Sequence, residues 1–219
     1  MSTNPLFDSQ PDLAFPQSLT EKYRPLKIDD FAGLEKPKAI MRKLAAKPFE
    51  SAWLFVGPSG TGKTTMGLAL ADAIPAELHH IPSQNCTLAE IETVRRTCQY
   101  VPMAGKKFHL ILVDEADRMS PAAQISLLSK LDATNFPPNT IFVFTCNSTD
   151  GLEPRFLSRT HTIEFSSYGL SKELVPMLET IWDKEFTGDH RPNFTRMVKD
   201  AANNARAALM AMETELMAN

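Results

Sequence analysis

"WLFVGPSGTGKTT", Trp53 to Thr65, is the stretch from which the rest of the chain can be read. A short apolar run leads into a glycine-rich turn whose first glycine, Gly57, and second, Gly62, are followed by Lys63 and Thr64. The run has the length of a buried strand, and the residues after Thr64 read as a helix. Strand, glycine loop and helix in that order let backbone N–H groups and a helix N-terminus wrap phosphate oxygens. Gly57, Pro58, Ser59, Gly60, Thr61, Gly62, Lys63, Thr64 and Thr65 are therefore assigned to nucleotide phosphates. Lys63 would neutralise the outer phosphates and the Thr64 hydroxyl would hold magnesium.

Outward from this loop, further short apolar runs recur: "LHHIP" from Leu78, "HLILV" from His109, "IFVFT" from Ile141 and "TIEF" from Thr162. Helix-like segments separate them, the pattern of a mainly parallel sheet with helices on both faces and its middle strands most buried. Upstream, Leu34, Ile40, Met41 and Leu44 recur at helical spacing, so one or two helices precede the first strand. Thr87 and Glu90 fit a capping box, followed on one helix face by Leu88, Ile91, Val94, Cys98 and Val101, which makes Cys98 a core residue.

After Phe165 the strand signals stop, leaving helical patterns around "LVPMLETIW", "FTRMVKDA" and "ARAALMAMETELMA". That change sets a boundary near Ser166 to Gly169. The expected division is a mobile tail over 1–20, with prolines at Pro5, Pro11 and Pro16, an α/β unit over 21–167 and a small helical unit over 168–219.

Composition is that of a globular protein, 43% hydrophobic and 22% charged over 219 residues, with no apolar run of membrane-spanning length. The first twenty residues lack the basic start and apolar core of a secretory signal. Cys86, Cys98 and Cys146 have neither paired spacing nor a zinc pattern, so they read as reduced, packed thiols in a cytoplasmic protein. A net charge of -3 argues against wholesale coating of nucleic acid but leaves room for a local basic patch. Arg95 with Arg96, and Lys106 with Lys107, are the candidates for such a strip, with plain solvated charge the favoured reading. Aromatic residues that could stack on bases are not concentrated near them.

The chemistry-bearing residues lie at strand ends. "HLILVDEAD" supplies Asp114, suited to orienting magnesium or its waters, and Glu115, suited to polarising the water that attacks a terminal phosphate. The competing reading of the acidic pair is a helix N-cap. "FVFTCNS" presents Asn147, whose amide can donate to the terminal phosphate and accept from the attacking water, although an isolated Asn there is commonly a turn residue. "EPRFLSRTHTIEF" carries Arg155 and Arg159, which cannot act as bases and are costly to bury without an anion.

Together with "EKYRP", Glu21 to Pro25, these motifs make the chain resemble the AAA+ ATPases, specifically the ATPase subunits of sliding-clamp loaders of the replication factor C small-subunit type, from Glu21 onward. The resemblance implies an α/β module, a five-stranded parallel sheet sandwiched by helices, followed by a three-helix lid. It implies Mg2+-dependent ATP hydrolysis, with ATP and Mg2+ as cofactors. Tyr23, Arg24 and Pro25 would lie near adenine and phosphates, Asn147 would be a first sensor, and Arg206, in "NNARAALMAME", a second sensor reaching from the lid. Arg159 would reach the nucleotide of an adjacent subunit, with Arg155 as the fallback and an intrachain carboxylate as the alternative partner. Implied partners are other subunits of a homo- or hetero-oligomer, DNA, and a sliding clamp or other replication protein.

There are departures from the family pattern. Thr160 stands in place of the Cys of "SRC", and Leu128 and Ser129 replace two arginines common after the acidic pair. With the sequence ending at Asn219, no helical collar is expected. The favoured reading is an ATP-driven switch in a DNA transaction; the alternatives are a regulatory adaptor that binds a protein without DNA, and an ATPase that remodels a polypeptide.

Overall fold

The structure, a computed structural model, describes residues 17–82, 87–103, 105–132 and 134–218. Each apolar run becomes a strand: β1 (Ser51–Val56), β2 (Ala76–Ile81), β3 (Phe108–Val113), β4 (Thr140–Cys146) and β5 (His161–Glu164). They form one parallel sheet in the order β2-β3-β4-β1-β5. Every residue of β4 is buried, as are nearly all of β1 and β3, because helices cover both faces of a central parallel strand. The edge strands β2 and β5 instead mix buried and exposed positions.

Nine α-helices accompany the sheet among the described residues. They are α1 (Leu19–Lys22), α2 (Glu35–Ala46), α3 (Lys63–Ala73), α4 (Leu88–Thr97), α5 (Pro121–Lys130), α6 (Pro154–Leu157), α7 (Ser171–Glu185), α8 (Phe194–Asp200) and α9 (Ala205–Ala218). Alternation along the strands divides the core. Leu54, Ile111, Val113 and Phe144 meet Ile91, Val94 and Leu127 of α4 and α5 on one face. Phe55, Leu110, Leu112 and Val143 meet Met41, Met66 and Leu70 of α2 and α3 on the other. A third core, with Leu174, Leu178, Trp182, Val198 and Met212, joins α7, α8 and α9 into a separate helical unit.

Three details refine the sequence reading. The Thr87 hydroxyl accepts from Glu90 N–H at 3.3 Å as a helix cap should, but α4 stops at Thr97. Its buried stripe is therefore Ile91, Val94 and Cys98, whereas Leu88 and Val101 are 50% and 86% exposed. Cys98 and Cys146 are both buried thiols, and Cys86 lies outside the described residues. Leu19, which the sequence reading assigned to the tail, is buried in the helical unit, with its N–H donating to Glu213 Oε1 at 3.0 Å. The chain thus touches the helical unit at α1, builds the α/β unit, and returns to finish what α1 began, leaving a cleft between the two.

Candidate nucleotide site

The floor of the cleft is the loop after β1. At Gly57, φ is +155° and a Cβ would stand 2.1 Å from the Phe165 carbonyl oxygen, so no side chain fits there. Gly60, at φ +76°, faces the side chain of Asn204 from the helical unit at a spacing that likewise excludes a Cβ. Bare backbone at both points is what lets N–H groups approach an anion. Lys63 opens α3 and is 8% exposed. Its Nζ donates to the carbonyls of Gly57 at 2.6 Å and Pro58 at 2.8 Å, and to Asn147 Oδ1 at 3.1 Å. Burial pushes the lysine pKa down, with nearby Arg206 adding to the shift. Phosphate oxygens arriving over the loop would replace neutral acceptors with charged ones, a stronger class of hydrogen bond.

Beyond the lysine, Asp114 directly follows β3 and gathers three donors. Its Oδ1 accepts from Thr64 Oγ1 at 2.8 Å and Thr145 Oγ1 at 3.0 Å, while Oδ2 pairs with His80 Nε2 at 2.7 Å. Glu115 adopts a left-handed backbone, φ 51° and ψ 51°, with its N–H donating to Thr145 Oγ1 at 3.1 Å and its carboxylate 3.4 Å from Arg118. A non-glycine residue held there costs on the order of 1–3 kcal/mol, a kind of strain that concentrates at functional turns. Glu115, Asn147, Arg206, Lys63 and Thr64 line one cavity of about 90 Å3. The Thr64 hydroxyl beside a carboxylate oxygen is a hard-oxygen donor set of the kind magnesium takes, so the residues fit that ion as well as a phosphate chain.

An adjoining cleft of about 200 Å3 is lined by Tyr23, Arg24 and Pro25 from the N-terminal segment, Gly60 and Gly62 from the loop, and Arg206 from α9. Tyr23 Oη donates to Glu185 of α7, which also receives Lys22 Nζ at 2.9 Å. On the far rim, Asn204 Nδ2 donates to Ser59 O at 2.8 Å while its Oδ1 accepts from Ala207 N–H at 3.1 Å, capping α9 and touching the loop together.

His80, Thr145 and Asn204 escaped the sequence reading. The first two were absorbed into apolar strand runs, and only Asn204, an N-cap type ahead of an alanine-rich helix, carried a usable signal.

Arg155 and Arg159 stand outside the residues lining these cavities. Within the chain Arg159 Nη2 lies 3.6 Å from Asp132 Oδ2 and Nη1 donates to the Arg155 carbonyl at 3.2 Å, so the intrachain carboxylate is the contact present here. Of the basic strip, Arg95 pairs with Glu92 at 2.9 Å, and Lys106 donates to the Ala76 carbonyl at 2.9 Å.

A phosphate loop on a parallel sheet, closed by a helical unit that reaches back to the loop, defines a P-loop nucleotide-binding module. The chain belongs to the ATPase family associated with various cellular activities (AAA), whose pattern matches residues 53–168. It is similar to replication factor C small subunit 2 of Pyrobaculum aerophilum, 33% identical over 162 residues, covering 71% of this chain and 50% of that protein. The replication factor C small subunit of Methanothermobacter thermautotrophicus is 31% identical over 172 residues, covering 75% and 52%. The chain spans about half the length of these relatives. The fold is shared with the Thermotoga maritima RuvB Holliday junction branch migration motor, at TM-score 0.71 and 18% identity over 87% of this chain and 64% of that one. The resemblance read from the motifs is borne out, as is the α/β P-loop architecture. No described helix is long and apolar enough to cross a membrane.

Burial, and then the Glu185 contact, raises the Tyr23 pKa to about 12. The other two of the three tyrosines, Tyr100 and Tyr168, are 74% and 94% exposed. An ultraviolet titration of the folded protein, taken as the difference from Tyr23→Phe, should therefore show the Tyr23 phenol ionising near pH 12, above its unfolded value of ~10. Since the folded pKa is the higher one, the contribution of Tyr23 to stability is complete below pH ~10 and is lost as pH rises through the folded value. Ionisation of Tyr23 in the folded protein at its unfolded value of ~10 would contradict this assignment.

Proposed function

We propose that the chain is a Mg2+-dependent ATPase switch of the clamp-loader kind, working in an oligomer on DNA with a sliding clamp or another replication protein. The observation that carries the reading is the Thr64–Asp114 contact at 2.8 Å beside Lys63, which joins a phosphate-binding loop to an acidic strand end. The likeness to replication factor C small subunits supports the DNA context. The division into a nucleotide-binding unit over 21–167 and a lid over 168–219 belongs to the same proposal.

In this mechanism the loop from Gly57 to Thr65 holds the triphosphate, and Lys63 exchanges its carbonyl partners for phosphate oxygens. Tyr23, Arg24 and Pro25 border the nucleotide. Magnesium, when bound by Thr64 with Asp114 behind it, supplies charge neutralisation at the outer phosphates. Glu115 accepts a proton from the attacking water as its oxygen bonds to the terminal phosphorus, while the bond to the ADP oxygen breaks. Asn147 orients that water, and Arg206 meets the phosphates when the lid closes.

Replacing Lys63 with Ala should weaken ATP binding about 10–100-fold, the worth of a charged hydrogen bond. Glu115→Gln should keep ATP affinity near that of the unaltered chain while turnover falls about 10²–10⁴-fold. Equilibrium binding of ATP alongside phosphate release checks both, and equal loss of affinity in the two variants would refute the division of roles.

Primer–template DNA should accelerate hydrolysis, with the acceleration declining steeply as salt rises because phosphate contacts release counterions. A rate indifferent to DNA at low salt would favour the adaptor reading.

Arg159 is proposed to leave Asp132 and stabilise the terminal phosphate bound by a neighbouring subunit. Arg159→Ala subunits mixed with Lys63→Ala subunits should then hydrolyse ATP faster than either alone, since one supplies the site and the other the arginine. A co-assembled mixture with merely additive activity would reject it.

A further inference from the structure

Three side chains that are far apart in sequence converge on the face of the sheet covered by α4. They are His79 of β2, Cys98 at the end of α4, and His109 of β3. One ligand atom from each, an imidazole nitrogen or the thiol sulfur, lies within 4.8 Å of the other two. Cys98 is 0% and His109 1% exposed. Spacing alone gave no zinc pattern because the three come from a strand, a helix end and a second strand, and only the pairing of β2 with β3 brings them together.

We propose that His79, Cys98 and His109 form a binding site for a transition-metal ion, zinc in particular, outside the nucleotide site. Two imidazoles and a sulfur suit zinc and are poor company for magnesium or calcium, which take oxygen.

His109 is already oriented as a ligand. Its Nε2 donates to the Tyr100 carbonyl at 2.9 Å, which fixes the tautomer and leaves the Nδ1 lone pair facing His79 Nε2 at 3.0 Å. A backbone carbonyl holding the distal ring N–H is how metal-bound histidines are commonly positioned. Glu77, register partner of His109, brings Oε2 to 3.6 Å from His109 Nδ1 and is the candidate for a fourth ligand.

The proton count follows from the geometry. Without metal, one ring proton lies between His79 Nε2 and His109 Nδ1 and the thiol keeps its own. Zinc binding moves the His79 proton to its Nδ1 and sends the thiol proton to solvent, so one proton is released per ion as three bonds to the metal form. The ion would tie edge strand β2 to β3 and to the end of α4. It would thereby hold the register by which His80, one residue on from His79, reaches Asp114.

The test is titration of the full chain, purified with chelator, using Co2+ as a spectroscopic substitute and then Zn2+. One Co2+ per chain should give visible bands of tetrahedral intensity together with a thiolate-to-cobalt charge-transfer band, and Zn2+ in equal amount should bleach both while excess Mg2+ should not. Cys98→Ala should abolish the charge-transfer band, and Cys146→Ala and Cys86→Ser should each keep it. Because Cys98 is in the core, the half-buried His79→Gln serves as a second variant. It should fold and bind more weakly by more than the ~10–100-fold that loss of a hydrogen-bond partner outside the ligand set costs. Absence of a charge-transfer band in the unaltered chain, its persistence in Cys98→Ala, or unchanged affinity in a folded His79→Gln would each overturn the site in favour of a hydrogen-bonded, metal-free cluster.

Discussion

The carboxylate of Asp114 organises the site because it cannot sit at a half-buried strand end without donors. Its charge is stable there only when hydrogen bonds replace lost water, and charged acceptors form the stronger bonds. Thr64 supplies one from the start of α3, Thr145 one from β4 and His80 one from β2, while the Asp114 N–H itself donates to Ile81 O at 3.1 Å. Three strands and the helix of the phosphate loop are thereby held to one group. Since Thr64 follows Lys63 directly, fixing its hydroxyl also fixes where the ammonium projects. The phosphate-holding and acidic ends of the site are thus one network.

A second consequence concerns the lid. Lys63 and Arg206 both face the smaller cavity, and the arginine disfavours the lysine's charge. Two cations converging on a cleft repel each other unless an anion lies between them, and a triphosphate supplies several negative charges there. The helical unit is fastened at one rim through Tyr23 and Lys22 to Glu185 and touches the loop at the other through Asn204. On the proposed reading, nucleotide draws the lid inward only to the extent that it binds the closed arrangement more tightly than the open one.

What the sequence disclosed followed from the range of each interaction. The phosphate loop was legible because its physics is local: a strand, bare backbone, a lysine and a helix start lie within a dozen or so residues. Strand positions were legible because strands buried on both faces must be continuously apolar. His80 was not, since its role depends on the pairing of β2 with β3, and Thr145 was hidden because a threonine inside an apolar run is also an ordinary strand residue. The stripe expected on α4 overreached at Leu88 and Val101 because periodicity cannot tell where a helix stops. His79, Cys98 and His109 are the extreme case, as their proximity exists only once the sheet is assembled.

Arg159 shows how a contact inside one chain and a proposed contact between chains can be compatible. Asp132 is a half-exposed residue, already served by hydrogen bonds from Thr134, and its arginine partner lies at 3.6 Å with both side chains partly open to solvent. Surface pairs of this kind are weak, because water screens them and both side chains lose freedom on pairing. A terminal phosphate enclosed between subunits offers the same guanidinium more charge, less screening and acceptors matched to its planar fork. Release from Asp132 would therefore oppose such a transfer only slightly. On the proposed reading, the intrachain pair would be a resting position that keeps the arginine at the surface, within reach of a neighbouring nucleotide.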